Sequence, residues 1–345
     1  MMKVAIIGAT GYSALELIRL LNHHPYVTVT ELISHSHYGK LLSDLYPHLK
    51  KTMEKSLIEY DLSYLEKEVD LLFFATPAGI SKDLIPDVLK TSLQCVDLSG
   101  DFRLLKKDYE KWYKKTAPAS EIQEKATFGL AEIYPEEIKK AVFISNPGCY
   151  STAALLGLIP IIKTGLVTKK GIIIDAKSGT SGAGRTLSSM THFSEMDESL
   201  IPYKFGEHQH TPEIEYYLSK EAGEEINVTL TTHLVPMTRG LLCTMYVPLT
   251  QPKTAKEIEK LYQEFYEKDL FVRLHPLGSL PQTKQVVGSN YVAIGIHVNE
   301  RTQQLIIVTA IDNLVKGAAG QAIQNMNLMN GWSVQAGLDY SPVYP

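Results

Sequence analysis

An α/β fold is predicted, with a doubly wound parallel sheet in the first part of the chain and an α+β part with a mostly antiparallel sheet after it. Three observations predict it. In the N-terminal half, short apolar runs at Val4 to Ile7, Val27 to Ile33, Leu71 to Thr76, Cys95 to Ser99 and Val142 to Ser145 alternate with helical patterns, the order that builds parallel βαβ units. In the second half, Val228 to Val235, Leu241 to Val247, Tyr291 to Val298 and Leu305 to Ile311 are long β-rich runs with few helices between them, which suits an antiparallel sheet. The length, 345 residues, exceeds one ordinary domain and fits two, each with its own core. The boundary falls near Gly148, so the expected domains are 1–148 and 149–316. Lys316 to Met329 reads as a final helix that brings 317–345 back to the first domain.

After the first run, Ala14, Leu17, Ile18 and Leu21 stand at i, i+3, i+4 and i+7, one apolar helical face that Pro25 interrupts. A strand therefore feeds a helix through a glycine turn. Lys106 to Lys115 is charged and carries Tyr109, Trp112 and Tyr113 at helical spacing, a solvated helix with an aromatic face. Composition excludes several classes of partner. With 34 Lys and Arg against 38 Asp and Glu, and a formal charge of -4, no global positive field exists to hold nucleic acid or an anionic membrane. The longest apolar stretch, Ala153 to Ile162, contains Pro160 and is about half of the ~20 residues a bilayer span requires. A first strand from Lys3 leaves no room for an export signal, and three widely spaced cysteines, Cys95, Cys149 and Cys243, match neither a disulfide framework nor a zinc site. A cytoplasmic protein with free thiols is expected.

Gly8-Ala9-Thr10-Gly11-Tyr12-Ser13-Ala14 lies where the first strand ends and the first helix begins, the context in which a glycine pattern reads as a dinucleotide site. Gly8 and Gly11 let the backbone approach a pyrophosphate, and the helix N-terminus favours its charge. The first domain is thus expected to be of Rossmann type; a tight turn without a ligand is the plainer alternative. At the end of the second strand, where an acidic residue would select NAD, the sequence reads Ser34-His35-Ser36 with Lys40 close behind. Hydroxyls and a lysine accommodate a 2′-phosphate, which favours NADP. Glu31 dissents, but its place before Leu32 and Ile33 makes it a mid-strand surface residue.

Asn146-Pro147-Gly148-Cys149 ends a strand-like run and Ser151 to Ile159 reads as a helix, so Cys149 sits at or just before a helix N-terminus. Partial positive charge there lowers a thiol pKa, and a nearby imidazolium would lower it further. Cys95 and Cys243 lie in apolar strand patterns and read as inert core. His208-Gln209-His210-Thr211-Pro212-Glu213 precedes the helical run Ile214 to Leu218 and supplies the base that a nucleophilic thiol needs. Two other readings stand beside this one: a metal pair, since His-x-His on an extended chain projects both rings to one side, and a surface cap in which Glu213 begins the helix. Ser178-Gly179-Thr180-Ser181-Gly182-Ala183-Gly184-Arg185 follows the strand Ile172 to Ala176. Consecutive amides in such a loop can surround an anion, with Arg185 adding charge, and a flexible hairpin connection is the alternative. Arg103, in Ser99-Gly100-Asp101-Phe102-Arg103 directly after a strand, grips a phosphate or forms a surface ion pair.

Together these motifs resemble the N-acetyl-γ-glutamyl-phosphate reductase family, related to aspartate-semialdehyde dehydrogenase. The resemblance covers the whole chain and rests on GATGY at Gly8 to Tyr12, ATP at Ala75 to Pro77, DLSGDFR at Asp97 to Arg103 and NPGCY at Asn146 to Tyr150. It continues in SGTSGAGR at Ser178 to Arg185, HQHTPEI at His208 to Ile214, HLVPMTRG at His233 to Gly240 and DNLVKGAAGQA at Asp312 to Ala322. It implies Cys149 as nucleophile, His208 as acid/base, and Asn313 as a neighbour of the nicotinamide. The cofactor-binding set is then Gly8, Thr10, Gly11, Tyr12, Ser34, Ser36, Ser178, Gly179 and Asn313, and the substrate-binding set Arg103, Arg185, Ser181 and Gly182, with no metal. One departure is Ser151, where the family commonly has proline. The implied reaction is NADPH-dependent reduction of N-acetyl-γ-glutamyl phosphate through a thioester, by a homodimer or homotetramer. Sister reductases of aspartyl phosphate or a lysine-pathway acyl phosphate, a cysteine acyltransferase without redox activity, and a dinucleotide sensor are the rivals.

Overall fold

The computed structural model describes residues 1–344 and divides into two compact units, Met1–Pro147 with Ala318–Asp339, and Gly148–Gly317 with the chain from Tyr340 onward. The terminal assignment differs from the expected one. Residues 317–345 do not all join the first unit, because the amide of Val343 donates to the carbonyl of Val287 at 2.8 Å and ties the last residues to the second.

In the first unit a seven-stranded sheet runs in the order Leu57–Ile58, Val27–Ile33, Met2–Ile7, Leu71–Phe74, Gln94–Asp97, Phe143–Ser145, Thr127–Phe128. Every pairing in it is parallel. Strand order reverses beside Met2–Ile7, and the crevice at such a switch point is where doubly wound sheets take ligands. Both edge strands are two residues long, too short to leave a period in the sequence. Helix Tyr12–Leu21 buries Ala14, Leu17, Ile18 and Leu21 as its spacing predicts, and Glu16, also buried, is neutralised by Arg19 at 2.6 Å. The returning helix Gly320–Met329 is buried on every side and docks through amides as much as apolar surface: Gln321 and Asn325 both donate to the carbonyl of Gly129 at 2.8 Å. A Cβ at Gly129 would lie 2.2 Å from the Asn325 amide nitrogen and 2.6 Å from Ile144 Cγ2, so a side chain there would displace both.

The second unit holds another seven-stranded sheet, ordered Val272–Leu274, Val292–Asn299, Gln304–Ile311, Leu241–Pro248, Ile172–Gly179, Val228–Val235, Ile201–Tyr203. Four pairings are antiparallel and two parallel, so the sheet is mixed and mostly antiparallel. Against it packs helix Cys149–Ile162, buried everywhere except at Cys149 itself. Pro160 lacks an N–H and so deprives the carbonyl of Leu156 of its helical partner; the Tyr266 hydroxyl supplies one at 2.6 Å. Tyr266 follows helix Ala255–Phe265, which the sequence reading passed over, although a Thr254–Glu257 capping box starts it. Among the described residues no helix is long and apolar enough to cross a membrane.

Candidate active site

At the end of strand Met2–Ile7 the chain turns at Gly8, whose φ is +84°, and a Cβ there would lie 2.6 Å from the Ala75 carbonyl oxygen. Both the left-handed backbone and the close approach demand glycine. The amides of Gly8 and Ala9 donate to the Ile33 carbonyl at 3.0 Å, fixing the turn to the neighbouring strand. Gly11 is the N-cap of helix Tyr12–Leu21, and no side chain caps that helix. The first amides of that helix keep their partial positive charge. The Tyr46 hydroxyl donates to the Thr10 carbonyl at 2.7 Å and steadies the turn from outside. Ser34 is buried, while Ser36 and Lys40 are exposed on the segment after the strand and Glu31 is half-buried within it.

Arg103 is buried, not a surface ion pair: its Nε donates to the Asn146 carbonyl and a terminal nitrogen to the Leu98 carbonyl, each at 2.8 Å. Beside it lies a polar network that the sequence reading did not find. The buried Asp101 carboxylate accepts from the amides of Gly79 and Lys82, from the Ser81 hydroxyl, and from the Tyr109 hydroxyl at 2.7 Å. Tyr109 is therefore more than an aromatic contact on a solvated helix. Burial, and then the Asp101 charge, push the Asp97 carboxyl up to about 7 despite its hydrogen bonds from Ser99. The acidic and hydroxyl residues of DLSGDFR were the available signal.

Cys149 is the first residue of its helix, with Gly148 as an extended N-cap and no capping side chain. The helix thus starts two residues before the expected Ser151, which puts that serine inside the first turn. Three features fix the entry to Cys149. The Gly148 amide donates to Glu213 Oε1 at 2.9 Å. A Cβ on Gly148 would lie 2.3 Å from His210 Nε2, and one on Gly317 would lie 2.7 Å from the Cys149 Cβ. Cys149 is half-buried, whereas Cys95 and Cys243 are fully buried and burial pushes both of their thiols up. The accessible thiol is Cys149.

His208 is 4% exposed. Its Nδ1 accepts the His210 amide at 3.2 Å, so the neutral ring carries its proton on Nε2. The rings of Tyr150, Tyr203 and His210 stand at 5.1, 5.7 and 4.7 Å from it, all steeply inclined. Burial, with a smaller push from the Lys204 charge, lowers its pKa to about 3. At neutral pH the His208 ring is therefore uncharged. His210 opens helix His210–Ala222, so the two histidines do not lie on one extended segment as the metal-pair reading requires. Glu213 is fully buried and bonded to Gly148, not a surface cap.

In the second glycine loop the strand runs on through Gly179 and a 3-10 turn covers Thr180–Ala183. The amides of Gly179, Thr180 and Ser181 donate to the carbonyls of Gly240, Met237 and Thr238 at 2.8, 2.9 and 3.1 Å. These three amides are spent on this turn and are not open to an anion. Ser178 and Ser181 are buried, Gly182 and Arg185 exposed. Asn313 joins the same cluster: its Oδ1 accepts the Gly240 amide at 2.8 Å and its Nδ2 donates to Ser181 Oγ at 2.9 Å.

Comparison with known proteins fits this arrangement. Residues 149–313 match the "Semialdehyde dehydrogenase, dimerisation domain" family and residues 3–141 the "Semialdehyde dehydrogenase, NAD binding domain" family. The chain is 53% identical over 346 residues to N-acetyl-gamma-glutamyl-phosphate reductase of Oceanobacillus iheyensis, and 47% identical over 345 to that of Bacillus subtilis, with 100% of both chains covered in each case. The chain belongs to the N-acetyl-gamma-glutamyl-phosphate reductase family. Its fold is shared with more distant solved structures: aspartate semialdehyde dehydrogenase II of Vibrio cholerae in complex with ASA (TM-score 0.73, 18% identity, 96% of this chain and 98% of that one), and aspartate semialdehyde dehydrogenase with NADP from Candida albicans (TM-score 0.70, 17% identity, again 96% and 98%).

Within this member of the reductase family, Cys149 and the Gly8 turn stood out from their local sequence, and His208 from the family resemblance. It did not point to Glu213 as the anchor of Gly148, which lies 65 positions away, nor to the tyrosine hydroxyl pair of Tyr150 and Tyr203 at 2.9 Å. The tyrosine of NPGCY was the only trace of that pair.

Proposed function

We propose that this chain reduces N-acetyl-γ-glutamyl phosphate to N-acetylglutamate 5-semialdehyde and phosphate, with NADPH as reductant and a thioester on Cys149 as intermediate. The observation that carries the reading is a half-buried thiol on the first residue of an uncapped helix, close in the fold to residues that hold a buried, neutral histidine. The full-length relatives named for that substrate supply the acyl group.

The steps follow from the side chains. His208 takes the Cys149 proton at Nδ1, the one nitrogen of its Nε2–H form with a lone pair, releasing the His210 amide as it does so, and the Cys149 thiolate, favoured by the helix start, attacks the γ-carbonyl carbon. The C–O bond to phosphate breaks and phosphate leaves with its electron pair. When bound, NADPH supplies the hydride that the thioester carbon accepts. The resulting thiohemiacetal oxygen is steadied by amides at the helix N-terminus and protonated by His208; loss of that proton then expels Cys149 and frees the aldehyde. The Gly8 turn fits a dinucleotide because its helix start is uncapped and its glycine permits close approach, so Gly8, Thr10, Gly11 and Tyr12 would hold the pyrophosphate. Ser34, Ser36 and Lys40 favour NADP over NAD, since no carboxylate follows Ile33 to repel a 2′-phosphate. Arg185 is exposed and Arg103 is rigidly held by backbone carbonyls; both are proposed to bind substrate anions. Ser178, Gly179 and Asn313 toward the cofactor, and Ser181 and Gly182 toward the substrate, complete the proposed set. A homodimer or homotetramer in the cytoplasm is the proposed state of the protein.

Incubation with the semialdehyde, phosphate and NADP⁺ tests the reading in the reverse direction. Nicotinamide reduction that depends on phosphate is expected, because phosphate must release the acyl group from Cys149. Full-rate turnover to the free acid in phosphate-free buffer would contradict it, and preference for aspartate semialdehyde would favour the sister enzyme.

A further inference from the structure

We propose that Tyr203 is a positioning residue for the reaction: with its hydroxyl bonded to Tyr150 and its ring against His208, it holds the imidazole in a fixed orientation and keeps water from it. The inference rests on the reading of His208 as the acid/base.

Local backbone brings the two side chains together. Tyr203 ends the short edge strand Ile201–Tyr203, and Lys204 and Gly206 follow in left-handed conformations, with φ of +48° and +68°. Non-glycine residues rarely take that conformation, and it turns the chain sharply. The turn is closed by the Glu207 amide donating to the Lys204 carbonyl at 3.0 Å. His208 follows at once, and its ring meets that of Tyr203 at 5.7 Å and 74°. The strand end is anchored from the sheet, where the Thr232 hydroxyl donates to the Tyr203 carbonyl at 2.6 Å.

The cysteine helix contributes Tyr150, the residue after the proposed nucleophile, with its ring at 5.1 Å and 88° to His208. The two tyrosine hydroxyls meet at 2.9 Å, so the rings form a bridged wall. Edge-to-face contacts of this kind are favourable and directional. Titratable groups near His208 include Tyr150, Tyr203, His210 and Lys204, with Cys149 acting on both tyrosines; the Lys204 charge disfavours an imidazolium. Burial pushes both tyrosine hydroxyls up, Tyr150 the further, which leaves them neutral. A ring enclosed in this way stays dry and uncharged, and its Nδ1 stays on the His210 amide.

The test uses Tyr203→Leu, which removes the ring and hydroxyl from an edge strand but keeps an apolar side chain, and Tyr203→Phe, which keeps the ring. The His208 ring proton is followed by NMR against pH, its signal assigned by its loss in His208→Asn, and kcat/KM for semialdehyde oxidation is measured across the same range. The native protein should show no His208 titration above about pH 5. In Tyr203→Leu the midpoint should rise towards the ordinary histidine value of about 6.5, with kcat/KM falling about tenfold more at pH 5 than at pH 8. Tyr203→Phe should restore the native midpoint. An unmoved midpoint in Tyr203→Leu, or an equal loss of rate at every pH, overturns the proposal. Because the NMR midpoint needs no turnover, this failure is distinct from failure of the acyl-phosphate reading, which the phosphate requirement of the native enzyme tests separately.

Discussion

Helix Tyr12–Leu21 in the first unit and helix Cys149–Ile162 in the second begin alike. Each has a glycine N-cap in extended conformation, Gly11 at φ -82° and ψ 160° and Gly148 at φ -71° and ψ 154°, and neither is capped by a side chain. An uncapped start keeps its partial positive charge available. The two differ in what receives it. The first turn of the earlier helix, Tyr12-Ser13-Ala14, carries no anionic group, and the proposed recipient is a cofactor pyrophosphate. The later helix starts with its own thiol, walled in by His210 behind Gly148 and by Gly317. On the proposed reading, one device attracts a ligand in one place and readies a nucleophile in the other. The glycine loop at Ser178–Arg185 is the informative contrast: it is as rich in glycine, yet its amides at 179–181 are spent on neighbouring carbonyls.

Replacing the nucleophile should have the largest effect. Cys149→Ser should lose nearly all turnover while NADPH binding survives, because a serine hydroxyl is far less ionised at neutral pH and its ester accepts hydride poorly. Loss of NADPH binding in that variant, measured by fluorescence titration, would mean that the two helix starts are not separable functions.

His208→Asn should slow turnover by roughly 10²-fold to 10⁴-fold, the usual size of an acid/base contribution. The same variant has a stability signature. Burial lowers the folded pKa of His208 to about 3, from 6.5, so between those values the unfolded chain binds the extra proton, and stability falls as pH drops from 6.5 towards 3. His208→Asn should soften that acid destabilisation in urea titrations at pH 4 to 7. Asp97 acts with the opposite sign: its carboxyl is raised to about 7, so it favours the folded state below pH 4 and loses that contribution as pH rises through 7.

A smaller effect separates fold from ligand at the first helix start. A Cβ at Gly11 meets nothing nearer than the Gly8 carbonyl at 3.6 Å, so Gly11→Asp fits and caps the helix. Its melting temperature should hold or rise slightly, while NADPH affinity drops about tenfold to a hundredfold from placing a carboxylate against a pyrophosphate. Unchanged affinity would remove the anion role from that turn. Smallest is the expected change in cofactor choice: NADP⁺ should be used better than NAD⁺, and Ser36→Glu should narrow the difference a few-fold.

The first unit was largely legible because buried parallel strands write continuous apolar runs and the Gly8 turn writes its own requirement for φ above zero. Helix boundaries shifted by a few residues, most usefully at Cys149, where the start lies on the cysteine itself. What could not be read were contacts closed over long separations. Glu213 holding Gly148, Asp101 gathering Gly79, Ser81 and Tyr109, and the 237–240 carbonyls occupying the second glycine loop all depend on which loops the sheets bring together. The burial of His208, with the rings of Tyr150, Tyr203 and His210 against it, leaves no periodic trace either. Helix Ala255–Phe265 is the opposite case, because its capping box stood in the sequence and was passed over.

Mass spectrometry after a short single-turnover mixing of the native enzyme with N-acetyl-γ-glutamyl phosphate, without NADPH, tests the central claim most directly. An N-acetylglutamyl adduct on the peptide that carries Cys149 is expected, with Cys95 and Cys243 unmodified. An adduct on another residue, or none at all while the enzyme turns over normally once NADPH is added, would contradict it.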